Sequence, residues 1–193
     1  MRVISWGELK KTPFTKPSAV SCGVFDGVHR GHRALINAVK SRSDLQSVIV
    51  TFSEHPRCVL FPERRTEEII TLEKKIELLS ALEVETLVLV DFSNEFRLLE
   101  GAVFIETLFK NACMRLFVIG RDFKCGHGGS FKAEQIVNFC SKLGIETNIV
   151  PPVLDGGAPV SSSRIRAALG AGDNETAKRL LGYSPFFKNF AFF

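Results

Sequence analysis

Short apolar, β-branched runs alternate along this chain with segments of helical spacing, and that alternation restricts the fold more than any other feature. Strands are predicted at residues 20–25, 48–52, Thr86–Val90, 116–120 and 147–150. Helices are predicted from about His29 or Gly31 to Lys40, then at 72–82, 101–110, 131–142, 163–169 and Asn174–Leu181. The second of these carries Leu72, Ile76, Leu79 and Leu82 on one face. Strands that are apolar throughout, rather than at alternate positions, are buried on both faces, as in a parallel sheet covered by helices. The class is therefore α/β, with a doubly wound parallel sheet. Ligands of such sheets bind beyond the carboxyl ends of the strands. That rule singles out three loops, at 25–32, 51–56 and 120–129.

Composition narrows the functional classes. With 193 residues, 45% of them hydrophobic, the chain is long and apolar enough to bury a core. A net charge of +4 is mild, and no basic stripe is interleaved with aromatics, so a dedicated nucleic-acid surface is not expected. The five cysteines include no CxxC pair, which argues against a disulfide framework or a structural zinc site. Residues 1–11 lack the apolar centre of a secretion signal, and no run approaches the ~18 apolar residues of a membrane span. The chain reads as cytoplasmic, with no membrane association.

The strongest local feature is Gly23-Val24-Phe25-Asp26-Gly27-Val28-His29-Arg30-Gly31-His32. A strand ends, two glycines allow a sharp turn, and two histidines stand three apart where a helix begins. Helix starts offer free N–H groups and the positive end of the dipole, which suit phosphate. Gly31, lacking Cβ, lets a group approach the backbone closely. Metal binding by the histidine pair is the competing reading, but no third histidine or HExxH pattern accompanies it. Ordinary helix-start residues are the other. The Walker, GxSxG and GxGxxG patterns are all absent, so P-loop, serine esterase and dinucleotide chemistry lose support.

A second feature, Ser161-Ser162-Ser163-Arg164-Ile165-Arg166, opens the penultimate helix. It is at least a serine-capped helix start. Hydroxyls, free amides and two arginine forks together also make an anion site. Two such starts in one domain suit a triphosphate. Thr51-Phe52-Ser53-Glu54-His55-Pro56 and Gly120-Arg121-Asp122-Phe123-Lys124-Cys125-Gly126 gain interest from their position at strand carboxyl ends.

GVFDGVHRGH followed by SSSRIR resembles the HxGH nucleotidyltransferase superfamily. Together with TFSEHP, GRDFKCG and RLLGYSPF, the pattern resembles the FMN adenylyltransferase (FAD synthetase) domain of bacterial bifunctional riboflavin kinase/FMN adenylyltransferases. The likeness runs from about Val20 to Phe186. It implies a Rossmann-like sheet of the HxGH type and the reaction FMN + ATP → FAD + pyrophosphate, with ATP and FMN as substrates and Mg²⁺ assisting. It implies direct attack of the FMN phosphate on the α-phosphorus. Carried over residue by residue, His29, His32, Ser163 and Arg166 are the catalytic set. Gly23, Val24, Phe25, Asp26, Gly31, Ser162 and Arg164 would bind ATP, and His55, Pro56, Asp122 and Phe123 would shape the flavin side.

The chain also departs from the pattern. Cys125 stands where the family usually has Phe, and Glu54 where it has Pro. The basic residue–Gly–Asp run expected after Gly126 is replaced by a stretch holding Gly129, Phe131 and Lys132. The ATP half is thus intact and the flavin half altered, which leaves open a related enzyme with another phosphorylated acceptor, or a module without catalysis. The expected organisation is a nucleotidyltransferase domain at 1–185, no riboflavin kinase domain, and a tail at 186–193. That tail, with Phe186, Phe187, Phe190, Phe192 and Phe193, is a candidate surface for self-association or a protein partner.

Overall fold

The structure, a computed structural model, describes residues 1–61, 63 and 67–184. In chain order its elements begin with β1 (Arg2–Ser5), α1 (Trp6–Lys11), β2 (Ser18–Cys22), α2 (Arg30–Lys40), β3 (Gln46–Phe52) and α3 (Pro56–Leu60). They continue with α4 (Leu72–Ala81), β4 (Thr86–Val90), α5 (Asn94–Arg97), α6 (Gly101–Asn111), β5 (Met114–Gly120), β6 (Lys124–Cys125) and β7 (Phe131–Lys132). The last are α7 (Ala133–Lys142), β8 (Glu146–Val150), β9 (Leu154–Asp155), β10 (Ala158–Pro159), α8 (Ser162–Gly170) and α9 (Asn174–Leu181).

Six strands form one sheet in the order β1-β4-β3-β2-β5-β8, and every neighbouring pair is parallel. β2 lies near the middle, with Val20 in register with Val48 on one side and Phe117 on the other. From β2 the chain moves outward through β3 to β4, then returns to place β5 on the opposite flank. The strand order therefore reverses between β2 and β5, and a crevice opens beyond their carboxyl ends.

Alternation along the strands divides the core in two. Val20, Val48, Val50, Val88, Phe117 and Ile119 point to one face, where Leu9, Phe104, Leu108 and Ile136 from α1, α6 and α7 cover them. Ala19, Ile49, Leu87, Leu116 and Val118 point to the other, against Ile36 and Val39 of α2 and Leu79 of α4. Burial on both faces is the physical reason these strands read as unbroken apolar runs. A third cluster joins α8 to α9 through Ile165, Ala168, Leu169, Ala177, Leu180 and Leu181.

Several boundaries differ from those predicted. The strand predicted at 20–25 ends at Cys22, because Phe25 takes a left-handed φ of 52° that no strand accommodates. The helix predicted at 131–142 begins only at Ala133, since Phe131 and Lys132 pair with Cys125 and Lys124 in a small antiparallel hairpin. Gly126 in that hairpin has φ 78°, and a Cβ there would come within 2.5 Å of the Gly101 backbone nitrogen. Only glycine allows the hairpin to lie this close to the start of α6. The phenylalanines of the 186–193 tail lie outside the described residues.

Candidate active site

The loop leaving β2 is built around Asp26. Its carboxylate is buried, with Oδ1 accepting from the backbone amides of Ile69 (2.9 Å) and Ile70 (3.4 Å). Oδ2 accepts from Arg166 Nη1 at 2.7 Å. Its backbone carbonyl accepts from Ser162 Oγ at 2.9 Å. One residue thus ties together the β2 loop, the segment before α4 and the first turn of α8. Burial raises the Asp26 pKa, while Arg166 and the two amides pull it back. Nearby, Tyr183 donates to the Gly27 carbonyl at 2.6 Å and locks the end of α9 onto the same loop.

This arrangement brings two helix starts together. His29 is the N-cap of α2 and Ser161 the N-cap of α8. The Val160 carbonyl, just ahead of α8, lies 3.5 Å from where a Cβ on Gly31 would sit. Neither α2 nor α8 carries an acidic residue in its first turn, which they share with α3 and α6 but not with α1, α4, α5, α7 and α9. A carboxylate there would compensate the positive end of the helix dipole; its absence leaves both ends available to an anion.

Two imidazoles stack at the α2 start. The His29 and His32 rings are 3.6 Å apart and inclined by 14°, although His29 itself precedes the helix. His29 Nδ1 accepts the His32 backbone N–H at 3.3 Å, so that nitrogen carries a lone pair and the ring proton sits on Nε2. His55 repeats the device ahead of α3: its Nδ1 accepts from Arg57 N at 3.1 Å, with Pro56 in the first turn. His32 Nδ1 is buried with no hydrogen-bond partner among the described residues.

All three rings are held neutral. Burial lowers the His29 pKa to about 4, with Arg166 adding to the effect against an opposing backbone hydrogen bond. Burial brings His55 to about 4 as well, assisted by Arg166, Lys75 and Arg57. His32 falls well below its ordinary value through burial, then His29, then Lys75. The site thus offers N–H donors with nearby fixed cations, rather than imidazolium ions.

Most of the expected residues gather here, but three have different surroundings from those expected. Phe25 has no exposed surface; its ring packs in the core beside His32, 5.0 Å away, and cannot line a nucleotide pocket. Asp26 is the structural tie just described. Arg164 directs Nη1 to the carbonyls of Ala158 and Pro159 and Nη2 to that of Asp155, so its fork braces the β9–β10 hairpin. Gly23 and Val24 are half-buried at the end of β2, and Ser163 is exposed in the first turn of α8. Asp122 is exposed beyond β5, while Phe123 packs edge-on against Phe117 at 5.7 Å.

Sequence reasoning missed Lys75. It is only 3% exposed, and its Nζ donates to the Phe52 carbonyl at 3.3 Å. Its spacing from Leu72 and Leu79 puts it on the buried stripe of α4, and that signal was available. It also missed Asp155, which pairs with Arg30 at 3.1 Å and Arg179 at 3.2 Å and so anchors the hairpin to the α2 start.

Comparison with known proteins agrees with this geometry. The FAD synthetase family profile matches residues 11–164. The chain is 32% identical over 168 residues to a bifunctional riboflavin kinase/FMN adenylyltransferase of Listeria monocytogenes, covering 85% of this chain and 53% of that protein. It is 33% identical over 176 residues to the protein of the same name from Bacillus subtilis, covering 89% and 55%. The chain thus spans about half the length of these curated relatives. Among solved structures, one titled a macrolide-efflux protein from Streptococcus pneumoniae superposes with a TM-score of 0.82 at 31% identity, covering 95% of this chain and 60% of that one. A pantoate-beta-alanine ligase from Francisella tularensis, at TM-score 0.59 and 13% identity, shares the fold across 100% of this chain and 82% of its own. Among the described residues, no helix is long and apolar enough to cross a membrane. With the family profile matched across most of its length and the paired helix starts in place, this chain belongs to the FAD synthetase family.

Proposed function

We propose that this chain transfers the adenylyl group of ATP to the phosphate of FMN, releasing pyrophosphate and forming FAD. The observation that carries the reading is the junction of two helix starts free of first-turn acids, lined by neutral imidazoles. An FMN phosphate oxygen forms a bond to the α-phosphorus as the bond from that phosphorus to the bridging oxygen breaks. The electron pair leaves with pyrophosphate, and no covalent enzyme intermediate is involved. Catalysis in such a transfer comes from positioning and from stabilising charge on non-bridging and leaving oxygens. His29 and His32 donate Nε2–H bonds to those oxygens. Ser162, Ser163 and Arg166 receive the triphosphate tail from the α8 side, with Gly23, Val24 and Gly31 as close backbone neighbours. His55, Pro56, Asp122 and Phe123 border the acceptor.

Mg²⁺ belongs in this proposal as the ion that ATP brings with it. Among the described residues no group of three His, Cys, Asp or Glu side chains stands together as a metal cage, so phosphate oxygens would supply most of its ligands. The free thiols of all five cysteines fit a reducing, cytoplasmic setting. The test is FMN-dependent release of pyrophosphate from ATP and Mg²⁺ by the purified chain. Release with FMN but not with riboflavin supports the reading. Absence of release from a folded sample refutes it.

A further inference from the structure

The β9–β10 hairpin leads straight into the α8 start, yet it has little of its own to hold it in place. Each strand is two residues long, pairing Ala158 with Asp155 and Pro159 with Leu154, and Leu154 is 53% exposed. A ribbon that short is not stable by itself. Arg164 joins it to α8: Nη1 donates to the Ala158 and Pro159 carbonyls at 2.8 and 2.9 Å, and Nη2 to that of Asp155 at 3.2 Å. The hairpin and the α8 start are thereby one piece. The Asp155 carboxylate then ties this piece to two other helices. Its Oδ2 accepts from Arg30 Nη1 of α2 at 3.1 Å, and both oxygens accept from Arg179 Nε of α9, at 3.2 and 3.3 Å. Arg30 is the first residue of α2, directly before Gly31, and the Val160 carbonyl lies 3.5 Å from where a Cβ on Gly31 would sit. Arg30–Asp155 and Gly31–Val160 are therefore neighbouring contacts across one seam, the seam between the two helix starts.

We propose that Asp155 is a positioning residue: its ion pair with Arg30 fixes the spacing between the α2 and α8 starts, and so pre-shapes the seat of the ATP triphosphate. The proposal rests on the adenylyltransferase reading for its consequence in turnover, while its consequence for ATP binding is independent of the acceptor. Two effects of opposite sign meet at this carboxylate. Coulomb's law alone makes a negative charge beside an anion site unfavourable, so its removal would tighten ATP. Positioning predicts the reverse, because a seat whose halves drift apart grips the phosphates less well. The tie to α9 matters less, since Ile165, Leu169, Ala177 and Leu180 already join α8 to α9 and the Arg179 side chain is 55% exposed.

The experiment measures the dissociation constant of ATP with Mg²⁺ by calorimetry, beside kcat and the KM for ATP and FMN. It compares the full chain with Asp155→Asn, Arg30→Gln, the double variant and Arg179→Gln. Asp155→Asn and Arg30→Gln should each weaken ATP about fivefold or more, with the KM for FMN within about twofold of native. The double variant should bind ATP no more weakly than the worse single one, because both remove the same contact. Arg179→Gln should stay within about twofold of native. A role in folding alone would lower kcat with the active fraction and leave the KM for ATP as it was. Native or tightened ATP binding in a folded Asp155→Asn would overturn the proposal, as would losses that multiply in the double variant. Should Asp155→Asn fail to fold, Arg30→Gln decides from the other side of the pair, and native ATP affinity there overturns it. If the native chain binds ATP but makes no FAD, the adenylyltransferase reading fails and the ATP affinities still judge Asp155. A native chain that binds no ATP overturns both.

Discussion

At His29 a single hydrogen bond does two things: it caps α2 and it chooses the tautomer with the proton on Nε2. The stacked partner His32 cannot be charged at the same time without strong repulsion at 3.6 Å. In the proposed transfer both rings act as neutral donors whose bonds strengthen as charge moves onto the leaving group. Replacing either by Ala should lower turnover by roughly one to two decades, the rate equivalent of ~1.5–3 kcal/mol, with ATP affinity changed only a few-fold. Single-turnover rates beside ATP dissociation constants would show the split; an unchanged rate would remove the histidines from the mechanism. Asp26 belongs to a different category, since it holds the loop rather than the substrate. Asp26→Ala leaves Arg166 and two buried amides without their acceptor, and should cost about 3 kcal/mol in a denaturant titration. A loss under ~1 kcal/mol would mean that the tie does not matter.

At the scale of elements, the site exists because α2 and α8 begin at the same place. Gly31 permits that meeting. A Cβ there would stand 3.2 Å from His29 Cε1 and Nδ1, tighter than most real contacts. Gly31→Ala should leave stability within ~1 kcal/mol, because alanine is the better helix former, yet lower turnover several-fold by displacing the imidazole. Equal losses in both, or none in turnover, would contradict this packing. The elements with long apolar runs or strong periodicity were readable from the chain: β4 and α9 match the prediction, and β3, α2 and α4 differ only at their ends. Short pieces such as α3, α5 and the two hairpins were not, because a few residues carry too little periodicity and their form is set by tertiary contacts. The same limit separates the site residues. His29, His32 and Arg166 lie within local motifs. Lys75 and Asp155 act through partners far along the chain, and nothing local marks Arg164 as the brace of a hairpin rather than a phosphate ligand.

Across the whole molecule the neutral imidazoles couple stability to pH. His29 has a folded pKa of about 4 against about 6.5 unfolded, so the unfolded chain binds more protons between those values. The stabilisation is complete above pH 6.5 and is lost as pH falls toward 4, up to roughly 3 kcal/mol for this one buried ring. His55 and His32 act in the same direction. Denaturation midpoints should therefore hold steady from pH 8 to 7 and decline through pH 5.5 and 4.5; a flat profile would show that the rings titrate normally in the fold. For the same reason, these histidines should impose no acid limb near pH 6.5 on kcat/KM.

The proposed adenylyl transfer is tested most directly by chromatography of one reaction. Purified chain is incubated with FMN, ATP and Mg²⁺, and flavins and pyrophosphate are quantified together. FAD should appear in equal amount with pyrophosphate and at the expense of FMN. A folded sample that leaves FMN unchanged while binding ATP would contradict the assignment.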